Sequence, residues 1–276
     1  MSDIPGLTIR QHRRATFRQI VSPVAGVIRV LAGEKRVRHG GSELIARPGD
    51  FAIMPDSLPL VVENIPGPGG TYEAHAVVMG RRNAETAYAA MQAPLAAEVL
   101  APAVSGRHVE LVDCFERLCR DLAADTPVPE PLLDLRRQEL AMRLATAGAR
   151  LGPAVEQGIA GKLRQLIAAD ISGDWSAGRA AAALATSEPT LRRKLAAGGQ
   201  SFQTLLADIR MTHALSLLQT TPWPVSRIAA ETGYESQSRF AIRFRERFGL
   251  APSEIRRSDA QNDRIGTKTD RIRRAS

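Results

Sequence analysis

The chain has 276 residues, with 44% hydrophobic, 24% charged and 4% aromatic side chains, enough for two domains that each bury a core. Its formal net charge of +8 is lopsided: residues 1–160 carry 18 basic and 18 acidic side chains, whereas residues 161–276 carry 19 and 11. A neutral front joined to a basic back predicts a polyanionic partner for the back half alone. Cys114 and Cys119 are the only cysteines; they form neither a metal motif nor a disulfide framework, which fits a reducing cytoplasm.

Met1-Ser2-Asp3-Ile4-Pro5 lacks the apolar core of a signal peptide. No stretch approaches the roughly 18 apolar residues that span a bilayer, so the expectation is a soluble cytoplasmic protein with no membrane partner. From about residue 10 to 80 the pattern is β. Short runs at Phe17–Val21, Val27–Leu31, Leu44–Ala46, Phe51–Met54, Leu60–Glu63 and Tyr72–Met79 alternate with Gly, Pro and Asp clusters. Six short strands at this spacing predict a small barrel or sandwich rather than a βαβ sheet.

Leu111, Val112, Phe115, Leu118, Cys119 and Leu122 then recur at helical spacing, and Leu132, Leu133, Leu140 and Leu144 mark a second helix. Both stripes suit packing on the barrel or a homodimer interface. From Lys162 the chain reads as helical throughout, with Ser201 as N-cap of a long helix running to about Gln219. Past Ser258 it is polar, mixed in charge and without apolar periodicity, as expected for a disordered basic tail.

Within the helical half one pattern occurs twice, 49 residues apart. A small Ala-containing segment, Ala181–Ala185 and then Ile228–Thr232, is followed by a short turn. Ser187 and Ser236 each then begin a second helix, anchored by Leu191 and Leu195 in one copy and by Phe240 and Phe244 in the other. This is the layout of a helix-turn-helix, whose second helix enters the DNA major groove. Pro189 is tolerated because first-turn amides lack an intrahelical partner. Glu188, Thr190, Arg192 and Arg193 are left facing outward in the first unit, and Gln237, Ser238, Arg239 and Arg243 in the second. Arginine can pair bidentately with guanine and glutamine with adenine.

Residues 162–257 resemble the DNA-binding domain of AraC/XylS-type bacterial transcription regulators. The motifs are Ser187-x-x-Thr190-Leu191-x-Arg193-x-Leu195, Gly199-x-Ser201-Phe202, Ile228-Ala229-x-x-x-Gly233-Tyr234, Ser236-Gln237-Ser238-Arg239-Phe240 and Phe248-Gly249-x-x-Pro252. The resemblance implies base reading by Pro189, Arg192, Arg193, Gln237, Ser238, Arg239 and Ile242. Pro189 and Ile242 offer only apolar surface, so the target sequence does not carry over. With the capping and flanking residues, the expected DNA-binding set is Ser187, Pro189, Thr190, Arg192, Arg193, Ser236, Gln237, Ser238, Arg239, Ile242 and Arg243. The expected partners are double-stranded promoter DNA and RNA polymerase.

The front half resembles the cupin-like barrel that accompanies such domains, through Arg47-Pro48-Gly49-Asp50-Phe51-Ala52-Ile53-Met54-Pro55 and Asn64. Leu60 stands where a metal-binding His would be, and Ser57 replaces a Gly. The barrel is therefore expected to sense a small-molecule effector or to dimerise, with no metal, no cofactor and no catalytic residue. If an acidic effector binds, Arg29, Arg38 and His39 are the candidates to orient it. The competing reading is a cupin-type metal enzyme with a helical appendage, its ligands drawn from His39, His75 and Glu43.

The organisation expected is an α+β chain: a sensor or dimerisation barrel at 1–105, linker helices at 106–158, a double helix-turn-helix domain at 159–258, and a basic tail at 259–276.

Overall fold

The computed structural model describes residues 7–22, 24–56, 58–91, 100, 103–124, 126–149, 151, 158–221 and 223–255. The expected tail at 259–276, Ser57 and Pro222 lie outside them. Eight strands come first among the described residues: β1 (Leu7–Gln11), β2 (Ala15–Ile20), β3 (Ala25–Ala32), β4 (Glu34–His39), β5 (Ser42–Ala46), β6 (Phe51–Met54), β7 (Leu60–Ile65) and β8 (Tyr72–Met79). Helices α1 (Arg81–Ala90), α2 (Val109–Leu122) and α3 (Glu130–Thr146) follow. The C-terminal half holds α4 (Ile159–Ala169), α5 (Ala177–Ala183), α6 (Glu188–Ala197), α7 (Phe202–Thr220), α8 (Val225–Glu231) and α9 (Gln237–Phe248).

The strands form two four-stranded antiparallel sheets, ordered β1-β8-β3-β6 and β2-β7-β4-β5. No described ladder joins one sheet to the other, so the barrel expected from sequence is a two-sheet sandwich. Two strands exceed the expectation. β1 pairs with β8, and β4 lies between β7 and β5. Glu34-Lys35-Arg36-Val37-Arg38-His39 looks like solvated surface, yet Lys35 and Val37 are buried and their neighbours are not. Helix α1 was also unforeseen, because its sequence has no strong apolar stripe.

The first sheet has two covered faces. Ile28, Val30, Ala52, Met54, Ala74 and Ala76 turn toward the second sheet. Val27, Phe51, Ile53, Val77 and Met79 turn toward α1, α2 and α3. Most of both linker stripes is spent on this packing: Leu111, Cys114, Phe115 and Leu118 of α2 are buried, as are Leu133, Leu140 and Leu144 of α3, while Leu132 stays exposed. Phe115 meets Phe51 edge to face at 5.3 Å. Burial pushes the thiols of Cys114 and Cys119 up to about 12, which leaves both protonated.

Strands β1 and β2 are edges of their respective sheets, and α7 and α9 pack against that side of the sandwich. Phe248 of α9 meets Phe17 of β2 edge to face at 5.9 Å, and the Val21 amide donates to Thr212 Oγ1 of α7 at 3.3 Å. The inter-sheet core thereby continues without a break into Leu215, Leu218, Ile228, Phe240, Phe244 and Phe248. A separate core of Leu163, Ile167, Ala180, Leu191, Leu195, Phe202, Leu205 and Ile209 serves the first helix-turn-helix unit. Phe17→Ala should therefore cost about 3–5 kcal/mol in urea unfolding of the full chain. Proteolytic nicking under native conditions should rise at α8–α9 more than at α5–α6.

Candidate nucleic-acid interface

The duplicated pattern is built as two helix pairs, α5–α6 and α8–α9. Ser187 and Ser236 cap α6 and α9 by accepting from the amides of Thr190 and Arg239, each at 3.4 Å. Ser201 caps α7 in the same way, and so does Ser176 on α5, a cap beyond those expected from sequence. Each cap satisfies one amide that the helix start leaves orphaned.

The turns match down to their hydrogen bonds. Thr186 N–H donates to Ala181 O in the first unit, and Tyr234 N–H donates to Ala229 O in the second, both at 2.9 Å. At the residue before each donor the backbone turns left-handed, with φ 51° at Ala185 and 75° at Gly233. Ala185 carries a Cβ into that strained conformation. At Gly233 only a hydrogen fits, because a Cβ would lie 2.6 Å from Arg210 Cζ.

Arg210 joins the two units. Its guanidinium donates to Ile171 O at 3.1 Å and Gly173 O at 2.7 Å, before α5, and to Gly233 O at 3.2 Å, between α8 and α9. Its place between Ile209 and Met211 in an apolar helix was the available signal. A second tie runs from Arg247 of α9 to Asp208 of α7 at 2.8 Å, with both side chains largely buried. Burial raises the Asp208 pKa, while Arg247 and Arg164 pull it the other way.

Every residue expected to meet DNA lies on the open side of its unit. Ser187, Pro189, Arg192 and Arg193 are exposed and Thr190 is partly so, while Leu191 and Leu195 are buried beneath them. On α9, Gln237, Ser238, Arg239, Ile242 and Arg243 are exposed, Ser236 is partly so, and Phe240, Phe244 and Phe248 face inward. Ile242 is 59% exposed, an unusual position for a large apolar side chain. Arg192 pairs with Glu188 at 2.6 Å, an exposed contact worth little on its own. Glu188 therefore shares the outer face with the arginines.

The effector candidates are not brought together. Arg29 projects from the helix-covered face of its sheet and donates to Glu116 of α2. Arg38 sits 3.9 Å from Glu43, and His39 Nδ1 lies 3.0 Å from Pro59 O. The ligand set of the enzyme alternative does not assemble either. His39 and Glu43 lie on the second sheet, whereas His75 faces Glu116 from the first at 3.7 Å. Among the described residues no group of three or more His, Cys, Asp or Glu is placed to hold a metal ion.

A family model described as "Helix-turn-helix domain" matches residues 180–258, the segment that holds both exposed faces. This segment is similar to the DNA-binding domain of AraC/XylS-type regulators. The HTH-type transcriptional regulator GadX of Escherichia coli is 35% identical over 92 residues, covering 33% of this chain and 34% of GadX. YdeO of the same species is 31% identical over 112 residues, covering 41% of this chain and 44% of YdeO. The match thus spans only a third to under a half of these regulators. Across 92% of this chain the fold is that of ToxT from Vibrio cholerae, with a TM-score of 0.65 at 14% identity and 96% of ToxT covered.

The pair of helix-turn-helix units predicts opposite outcomes at its two equivalent turn positions. Ala185→Gly should raise stability by about 1 kcal/mol by relieving the left-handed alanine. Gly233→Ala should lower it by more, since the new methyl strikes Arg210. Thermal or chemical unfolding of the two variants checks both signs.

Proposed function

We propose that the chain is a sequence-specific DNA-binding transcription regulator whose N-terminal half responds to a small-molecule effector. The observation that carries this reading is the pair of serine-capped helices, α6 and α9, each burying its apolar anchors and presenting arginines outward. At 19 residues, α7 runs about 28 Å, commensurate with the ~34 Å between successive major-groove faces. Arg192 and Arg193 in one unit, and Gln237, Ser238, Arg239, Ile242 and Arg243 in the other, offer different chemistry. One chain should accordingly favour an asymmetric site.

A ToxT structure with a TM-score of 0.59 and 13% identity is described as bound to an unsaturated fatty acid, which supports the effector part of the reading. Val109 and Leu135, exposed at 68% and 61%, lie on α2 and α3 with Leu132 and Met142. This apolar set supports a homodimer through the linker helices, and any palindromy in the operator would arise there. Contact with RNA polymerase and a cytoplasmic location complete the reading. No helix among the described residues is long and apolar enough to cross a membrane.

Electrophoretic shifts on cognate and scrambled duplexes test the proposal. Arg192→Ala or Arg239→Ala should weaken cognate binding by about 1–3 kcal/mol while barely changing scrambled binding. Equal losses on both duplexes would show that these side chains meet phosphate only. Absence of any salt-dependent DNA affinity would overturn the regulator reading.

A further inference from the structure

Every exposed residue of α9 is polar except one. Ile242 lies two residues from both Phe240 and Phe244, hence roughly 160–200° around the helix from each. Those two rings are buried in the core, so Ile242 stands at the middle of the opposite face. Ser238, Arg239, Arg245 and Glu246 are its neighbours at helical spacing, and all four are exposed. Arg243, beside it, reaches Glu246 at 3.9 Å. At 59% exposure, Ile242 is the one exposed large apolar side chain among the described residues of the C-terminal half. The others, Val109, Leu132, Leu135 and Met142, belong to α2 and α3.

The first unit has a different side chain at the same place. Arg193 stands six residues past the capping Ser187, as Ile242 stands six past Ser236. It too lies two residues from both buried anchors, Leu191 and Leu195. Two residues past the caps the order reverses, with apolar Pro189 in the first unit and Ser238 in the second. Each helix thus carries one apolar and one hydrogen-bonding side chain along its outer line, in opposite order.

A lone isoleucine covers far less than an apolar protein-docking patch, which runs to hundreds of Å². It does match the one apolar group that a base pair offers in the major groove, the C5-methyl of thymine. Against guanine O6 and N7, or the cytosine amino group, it would strip water and return no hydrogen bond. Being β-branched, isoleucine has one strongly preferred χ1 rotamer on a helix and loses little freedom on contact.

We propose that Ile242 reads the C5-methyl of a thymine, so that α9 selects a T·A pair where α6, through the equivalent Arg193, selects G·C. The assignment rests on the chain being a DNA-binding regulator. Arg239, Arg243 and Arg245 around it supply attraction to the duplex, and Ile242 supplies discrimination. Methylation puts the same group on C5 of cytosine. A methylated C·G pair therefore presents to Ile242 the apolar surface that an unmethylated one lacks.

The test begins with the purified full chain and a library of random DNA duplexes, from which a bound sequence is enriched. Each thymine of that sequence is then exchanged singly for deoxyuridine, which still pairs with adenine and lacks only the methyl. At one position the exchange should weaken wild-type binding about fourfold, the worth of one buried carbon. Ile242→Ala should weaken binding to the thymine duplex by a similar factor and be indifferent to uracil there, the signature of a coupled pair. Cytosine at that position should bind more tightly once its C5 is methylated, and Ile242→Arg should shift the preference there to guanine. Both variants should melt with the wild type, since the side chain is exposed. The proposal fails if no uracil exchange weakens wild-type binding, or if Ile242→Ala keeps the wild-type sensitivity at every position. It fails equally if Ile242→Ala binds the thymine duplex as tightly as the wild type. A library that yields no enriched sequence overturns the regulator reading and the proposal with it. An enriched sequence indifferent to the methyl overturns the proposal alone.

Discussion

A two-sheet sandwich has an inner space that must be shut on every side, and here one of those sides is shut by another domain. Strands β1 and β2 sit at the edges of different sheets, and their side of the sandwich is covered by α7 and α9. Phe17 against Phe248 is the visible joint, and the apolar cluster runs through it from Val30 and Leu44 to Phe240 and Ile228. The same helix that presents Gln237, Ser238 and Arg239 outward thus completes the core of the N-terminal half with its other face. Anything that alters the inter-sheet space acts on the packing surface of α9 directly. The inter-sheet core and the packing face of α9 are one contiguous apolar cluster.

The first helix-turn-helix unit stands apart from this joint. Its core of Leu163, Leu191, Leu195 and Phe202 is its own, and it is tied to the second unit through α7 and the carbonyl contacts of Arg210. The two units therefore differ in mechanical setting as well as in exposed side chains. One is anchored to the sandwich and the other is carried by α7. A change at the sandwich would reorient α9 first and α6 only through that helix and its central arginine.

Much of the candidate interface is legible in the sequence because its grammar is local. Serine caps, a left-handed turn residue and apolar anchors four apart leave marks within a dozen residues, and Ser187, Ser236, Leu191 and Phe240 stand where those marks put them. What escaped notice depends on distant partners. The strand from Glu34 to His39 reads as surface by charge, and only its position between β5 and β7 reveals that Lys35 points inward. Arg210 likewise looks like a stray cation in an apolar helix until Ile171, Gly173 and Gly233 turn their carbonyls toward it. Arg29 is a ligand candidate by residue type, but strand parity aims it at α2 rather than at the space between the sheets. Neither that parity nor the closure of β1 and β2 by α7 and α9 is written in any short window of residues.

Native-state hydrogen exchange on the full chain tests the shared core most directly. If the sandwich and the second unit are one cooperative body, the slowest amides of β2, β7 and α9 should open with the same free energy and the same denaturant dependence. Phe17→Ala should lower all three together and leave α6 less affected. Exchange of α9 at an opening free energy independent of β2, unchanged by Phe17→Ala, would contradict the account.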